Sequence, residues 1–183
     1  MTFQIESLTG GITAVEGIEA AGVYCGLKKN GEKDFALIYS KKPANAAGVF
    51  TTNKFKAPPL LVTEQHLKGT VRAIVVNSGN ANSCTGEQGI DDAKRVASLA
   101  AEQLGLQHED VLVASTGVIG VYLPLDKIAS GVELAAAQLS PTGGTDAARA
   151  IMTTDTVIKE SAFRFVSETE GGIYSFVVGG MAN

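Results

Sequence analysis

The stretch Val111-Leu112-Val113-Ala114-Ser115-Thr116-Gly117-Val118-Ile119-Gly120 sets the reading of the chain. A short apolar run ends in Ser-Thr-Gly, and Pro124 follows a few residues later as a good first-turn residue for a helix. A strand ending this way presents hydroxyls and backbone N–H groups at a sheet edge, where a developing negative charge can be held. Taken alone, the same residues read more readily as a tight turn than as an oxyanion site, because glycine and small polar residues mark bends.

The stretch just upstream repeats the pattern. Ala73-Ile74-Val75-Val76 is short and continuously apolar, as a buried strand is. It runs into Asn77-Ser78-Gly79-Asn80-Ala81-Asn82, whose three amides suit a local network of side-chain-to-backbone hydrogen bonds and also a ligand contact. Between the two runs, Ile90, Ala93, Val96, Ala97, Ala100 and Leu104 form one stripe, so a helix is expected over about Glu87–Leu104, stopped by Gly105. Beyond Pro124, the stripe Leu125, Ile128, Ala129, Val132 and Ala136 gives a second helix, and Thr145 to about Met152 a third, shorter one.

Toward the N-terminus, the segment from Gly10 to Gly26 reads as a loop followed by a strand. Lys28-Lys29-Asn30-Gly31 is a hairpin signal, and Phe35–Ser40 is the returning strand. Gly48–Thr52 is expected to be a further short strand, and Ala57-Pro58-Pro59 a break before Leu60–Thr63. Toward the C-terminus, Val157–Val166 and Ile173–Val178 read as two strands joined by the acidic turn Ser167–Gly172. The second is a buried strand by composition, and it stands so close to Asn183 that we expect the chain to be one piece, residues 1–183, of a larger folded unit. The order of elements is mixed and lacks a regular βαβ repeat. The expected fold class is therefore α+β, a sheet layered against helices.

Composition narrows the function. The chain has 183 residues, 45% of them hydrophobic but only 6% aromatic, with 21 glycines and a net charge of −4. The core must be aliphatic, and with no basic stripe nucleic acid is not an expected partner. There is no signal-peptide pattern and no apolar run near the roughly 18 residues that span a bilayer. Cys25 and Cys84 lie in no CxxC pattern, which suits a reduced, cytoplasmic setting. His66 and His108 stand alone among polar residues and are expected on the surface, so no metal site is expected. No Ser or Cys is paired with a histidine. Cys84 therefore reads as a buried structural thiol, and the reactive group is expected on another chain. Met152-Thr153-Thr154-Asp155-Thr156 is the third polar cluster, either a cap or a substrate contact.

Together these motifs resemble the ornithine acetyltransferase family: Asn77–Gly86, Ala114–Gly120, Ile151–Thr156 and Gly179-Gly180-Met181-Ala182, with Gly10–Ala14 and Lys54-Phe55-Lys56-Ala57-Pro58 in support. The match is in order and covers nearly the whole chain. The resemblance implies a layered sheet–helix sandwich of the ornithine acetyltransferase and self-cleaving aminopeptidase type. It also implies a precursor that cleaves itself before a threonine, the nucleophile of a β chain, so that residues 1–183 form the α-chain lobe of an α2β2 enzyme. The implied reaction moves acetyl from N-acetylornithine to glutamate through an acetyl-enzyme, with no cofactor and with acetyl-CoA as a further donor in some members. Thr116 and Gly117 match the family's oxyanion-hole pair. Thr154, ahead of Thr153, matches its substrate contact. After Gly179–Ala182 the family continues with a substrate-contacting lysine, where this chain has Asn183, so no lysine contact is assigned. Two other readings stay open: a related self-cleaving hydrolase, in which water takes the acyl group, and a non-catalytic ligand-binding domain.

Overall fold

A computed structural model describes residues 2–169 and 171–183. The elements are β1 (Thr2–Leu8), β2 (Ile18–Val23), β3 (Phe35–Ala44), α1 (Pro58–His66), β4 (Val71–Asn80), α2 (Gly86–Leu104), β5 (Val111–Val118), α3 (Leu125–Ala137), α4 (Gly144–Ile151), β6 (Lys159–Thr169) and β7 (Gly172–Ala182). The strands form two sheets, one of four strands in the order β2-β3-β4-β5 and one of three in the order β1-β6-β7. Among the described residues only β4 and β5 run parallel, joined by α2, and the other pairs are antiparallel. The fold is α+β and layered, as expected.

Alternation along the strands sorts the core of the four-stranded sheet into two halves. Ala21, Val23, Phe35, Leu37, Ala73 and Val75 face α1, α2 and α3 in the main cluster. Ala20, Ala36 and Ile38 face the other way, onto Ala147, Ala150 and Ile151 of α4. The three-stranded sheet lies beyond α4, against the 3-10 turn Gly11–Ala14.

Several expectations are corrected. Residues 48–52 form no strand. The segment is exposed, and its polar side chains turn the backbone back on itself, Thr51 Oγ1 accepting from the N–H of Asn53 and Asn53 Oδ1 from that of Phe55. Residues 58–66 form a helix, started by Pro58; its consecutive Leu60-Leu61-Val62 make no stripe to read. β1 was likewise unassigned from sequence. The Lys28–Gly31 signal lies within a wider loop, residues 24–34, and not in a two-residue turn. Of the acidic turn 167–172, Glu170 lies outside the described residues.

His66 is buried, not on the surface. Its ring Nδ1 donates to the Val111 carbonyl at 2.7 Å, while Thr63 Oγ1 donates to the carbonyl of Val113 and accepts from its N–H. Helix α1 thereby occupies the open edge of β5. His108 is exposed, as expected. Cys84 is exposed, not buried, because it occupies a left-handed bend (φ 58°) just before α2. β7 is mostly exposed, not buried. Among the described residues, no helix is long and apolar enough to cross a membrane.

Candidate active site

The parallel pair β4–β5 brings two of the polar motifs together. Asn77 lies opposite Ser115, Ser78 opposite Thr116 and Gly79 opposite Gly117. The ladder then shifts at Asn80. Each position has a distinct task. Ser115 Oγ donates to Asn77 Oδ1 at 2.6 Å, and Ser78 Oγ donates to the Ala150 carbonyl at 2.6 Å, tying β4 to α4. The three amides form the expected local network. Asn77 Nδ2 donates to the Asn80 carbonyl, Asn80 Oδ1 accepts from the Asn82 N–H, and Asn82 donates to the Gly89 carbonyl while accepting from Thr85 Oγ1. These side chains are committed to the frame. Thr116 differs: among the described residues its hydroxyl makes no hydrogen bond within the chain, and it is only half-buried.

Gly117 is required by the geometry. Its φ is +129°, in the region L side chains avoid, and a Cβ there would stand 2.4 Å from the Gly79 carbonyl carbon and 2.7 Å from the Asn80 nitrogen. The backbones of the two strand tips touch, and no side chain fits between them.

Thr116 and Gly117 line a cleft of about 680 Å³ together with Gly79, Val118, Leu27, Lys28, Lys29, Asn30, Glu32, Thr153 and Thr154. Every site residue expected from sequence therefore reaches one cavity, although Thr116 and Thr153 are far apart in the chain. Thr154 and Thr153 both wall it. Thr153 also lines an adjoining hollow of about 730 Å³ with Glu32, Lys33, Arg149, Asp155 and Thr156. Thr153 Oγ1 donates to Asn183 Oδ1 at 3.1 Å, and Asn183 Nδ2 donates to the Ile151 carbonyl at 2.6 Å. The end of β7 is thus laced to the segment after α4. Lys159 donates to Asp155 and holds its carboxyl below the usual range.

The opposite wall was missed from sequence. Asp34 is fully buried, and its carboxylate accepts backbone N–H groups of Cys25 at 2.7 Å, Leu27 at 2.6 Å and Lys28 at 2.9 Å. These bonds shape the 25–28 turn and set Leu27 against Gly79 and Lys28 in the cleft wall. Burial pulls the Lys28 ammonium below its usual range. Burial and the neighbouring Asp34 push the Cys25 thiol up to about 12, so this cysteine is chemically quiet. An acidic residue three positions after an Asn-Gly pair reads as turn polarity, and nothing in the local sequence marks Asp34 as buried.

In chemical terms the cleft offers a free hydroxyl and a glycine backbone beside it, next to two further threonines and a charged rim. Such a set can bind and polarise a carbonyl.

Comparison with known proteins gives a consistent picture. A model of the ArgJ family matches residues 19–183. The chain is 54% identical over 162 residues to the arginine biosynthesis bifunctional protein ArgJ of Caldanaerobacter subterraneus, covering 88% of this chain and 40% of that protein. It is 52% identical over 181 residues to the protein of that name from Symbiobacterium thermophilum, covering 97% of this chain and 44% of that one. The chain therefore spans less than half the length of these curated relatives. Among solved structures, it superposes on arginine biosynthesis bifunctional protein argJ of Bacillus halodurans with a TM-score of 0.89 at 37% identity, covering 100% of this chain and 94% of that one. It superposes on ornithine acetyltransferase of Mycobacterium tuberculosis, complexed with ornithine, with a TM-score of 0.86 at 40% identity, covering 99% and 94%.

Proposed function

The chain belongs to the ArgJ family, and from that premise we propose that it is the α chain of a glutamate N-acetyltransferase of arginine biosynthesis, working with a β chain that supplies the nucleophile. The observation that carries this reading is the single cleft that Thr116, Gly117, Thr153 and Thr154 share. The two-chain organisation is supported by lengths. This chain covers 94% of each matched chain in the solved relatives, but 40% and 44% of the curated sequences.

In the proposed reaction, the hydroxyl of the β chain's N-terminal threonine attacks the acetyl carbonyl of N-acetylornithine. Its proton passes to its own α-amino group, which serves as the base. The carbonyl oxygen becomes an oxyanion and accepts hydrogen bonds from the Thr116 hydroxyl and the Gly117 N–H. Collapse breaks the C–N bond, and the ornithine amine leaves with the proton. The amine of glutamate then attacks the acetyl ester, passes through a second oxyanion in the same place, and releases the threonine. Acetyl-CoA would enter at the first step as an alternative donor, with its thiol leaving. Thr154, with Thr153 beside it, holds the substrate against the wall opposite Lys28. The assembly is α2β2, its substrates are small molecules, and its setting is the cytoplasm.

Replacing Thr116 by Ala in the complete two-chain enzyme is expected to lower acetyl transfer by roughly 10²–10³-fold, the loss typical of one oxyanion donor. Unchanged turnover would remove Thr116 from the mechanism.

A further inference from the structure

The three-stranded sheet has two unlike faces. Strand register puts Gln4, Glu6, Arg164 and Ser175 on one of them, interleaved with Val166, Ile173 and Val177, and Glu6 and Arg164 are paired at 2.8 Å. This face continues into Ala162 and Met181, which pack toward the 3-10 turn and α4. The other face carries Phe3 and Ile5 of β1, Phe165 of β6, and Tyr174, Phe176 and Val178 of β7. Phe165 stacks on Phe176 with ring centroids 4.9 Å apart and lies 5.8 Å from Phe3. Apart from Phe165, each of these six side chains is half exposed or more.

The arrangement is inverted for a sheet at a protein surface. An antiparallel sheet with one wet face normally packs its apolar side on the core and leaves its polar side to water. Here the charged pair and the core contacts share one side, and nothing among the described residues lies over the aromatic ladder. A contiguous apolar patch of this kind marks an interface.

Resting on the two-chain reading above, we propose that this aromatic face is the seat of the β chain, the polypeptide that completes the longer family protein. Two observations select that occupant. More than half of the length of the curated relatives lies outside this chain, at coverages of 40% and 44%. The face is also continuous with the cleft. β7 carries Tyr174, Phe176 and Val178, and a few residues on, at about 3.3 Å per residue, its end is bonded through Asn183 to Thr153 in the cleft wall. A polypeptide seated on the aromatic face reaches the cleft along β7, where the nucleophile is needed. Its contact surface is apolar over the aromatic positions, where no charged side chain lies among the described residues, and becomes polar toward the cleft, where Ser161 and Lys159 share the face.

The test is hydroxyl-radical footprinting of the wild-type chain alone and co-expressed with the remaining polypeptide of the longer relatives. Co-purification with Phe3, Tyr174 and Phe176 losing most of their oxidation, while Val49 and Ile173 stay oxidised, is the expected result. Co-purification with the aromatic face still oxidised would overturn this inference and leave the two-chain reading intact. Failure of any partner to co-purify would overturn both. Protection in the lone chain, accompanied by dimeric mass, would assign the face to a second copy and overturn the inference. Phe176→Asp is expected to weaken partner capture by roughly 30-fold or more, as for a central interface aromatic. Ser175→Asp, on the opposite face of the same strand, is expected to leave capture unchanged, and equal effects of the two would count against the assignment.

Discussion

The two sheets of this chain are finished to different degrees. The four-stranded sheet is covered on both faces, by α1–α3 on one side and α4 on the other. Both its edges are closed by the chain's own groups. Thr63 and His66 bond β5, and Ser140 exchanges two backbone hydrogen bonds with Ala20 of β2, at 3.0 and 3.1 Å. The three-stranded sheet has one face on the body of the protein and an aromatic ladder on the other. The lesson concerns division of labour. The closed sheet fixes the strand tips that bear Thr116 and Gly117, a geometry that tolerates no slack. On the proposed reading, the open sheet offers adhesive surface for the partner that must be brought to those tips.

The contrast can be broken most forcefully at the closed sheet. Gly117→Ala puts a Cβ within 2.4 Å of backbone and forces an unfavourable φ. Acetyl transfer by the two-chain enzyme is expected to fall by roughly 10³-fold, read by steady-state turnover. Near-normal turnover would mean that the strand tips can separate without cost. The next comparison sharpens the difference in burial. Leu37 is fully buried in the closed sheet, so Leu37→Ala is expected to cost about 3 kcal/mol in denaturant unfolding of the lone chain. Phe176→Ala, at an exposed position, is expected to cost less than about 1 kcal/mol in the same measurement. Similar costs would show that the open sheet is already covered in the lone chain.

The smallest effect separates the two thiols. Cys25 belongs to the closed sheet's surroundings, with its thiol pushed up to about 12, while Cys84 is exposed. Alkylation at mildly alkaline pH is expected to modify Cys84 and spare Cys25. The linkage has a definite sign. The folded pKa of Cys25 is raised, so its contribution to stability is intact below the ordinary thiol range. It is lost as pH rises toward 12, because the unfolded chain gives up the proton first. Urea unfolding midpoints across that alkaline window would show it, and a Cys25→Ser variant would lose the thiol's share of the slope.

Much of this was legible in the residues because the signals are local and periodic. The apolar stripe of α2 and the continuous runs of β4 and β5 each carry enough repeats to name the element, and boundaries fell within a few residues. The amide network of 77–82 was readable because Asn side chains reach their own backbone neighbours. What escaped depends on distant partners. His66 was placed at the surface because its polar neighbours in sequence gave no hint of the β5 edge it closes. Asp34 looks like turn polarity until the N–H groups of Cys25, Leu27 and Lys28 are seen converging on it. The strand character of β7 was plain, but its exposure was not, since alternation says which residues share a face and not whether anything covers it. Gathering Thr116, Gly117, Thr153 and Thr154 into one cleft likewise required the fold.

The central claim is that this chain stabilises charge and its partner carries the acyl group. The direct measurement is intact-mass and peptide analysis of the co-purified two-chain protein after incubation with N-acetylornithine and no acceptor. A single acetyl group on the N-terminal threonine of the partner, with residues 1–183 unmodified, is the expected result. Acetyl found instead on this chain, at Thr116, Ser115 or Cys84, would contradict it.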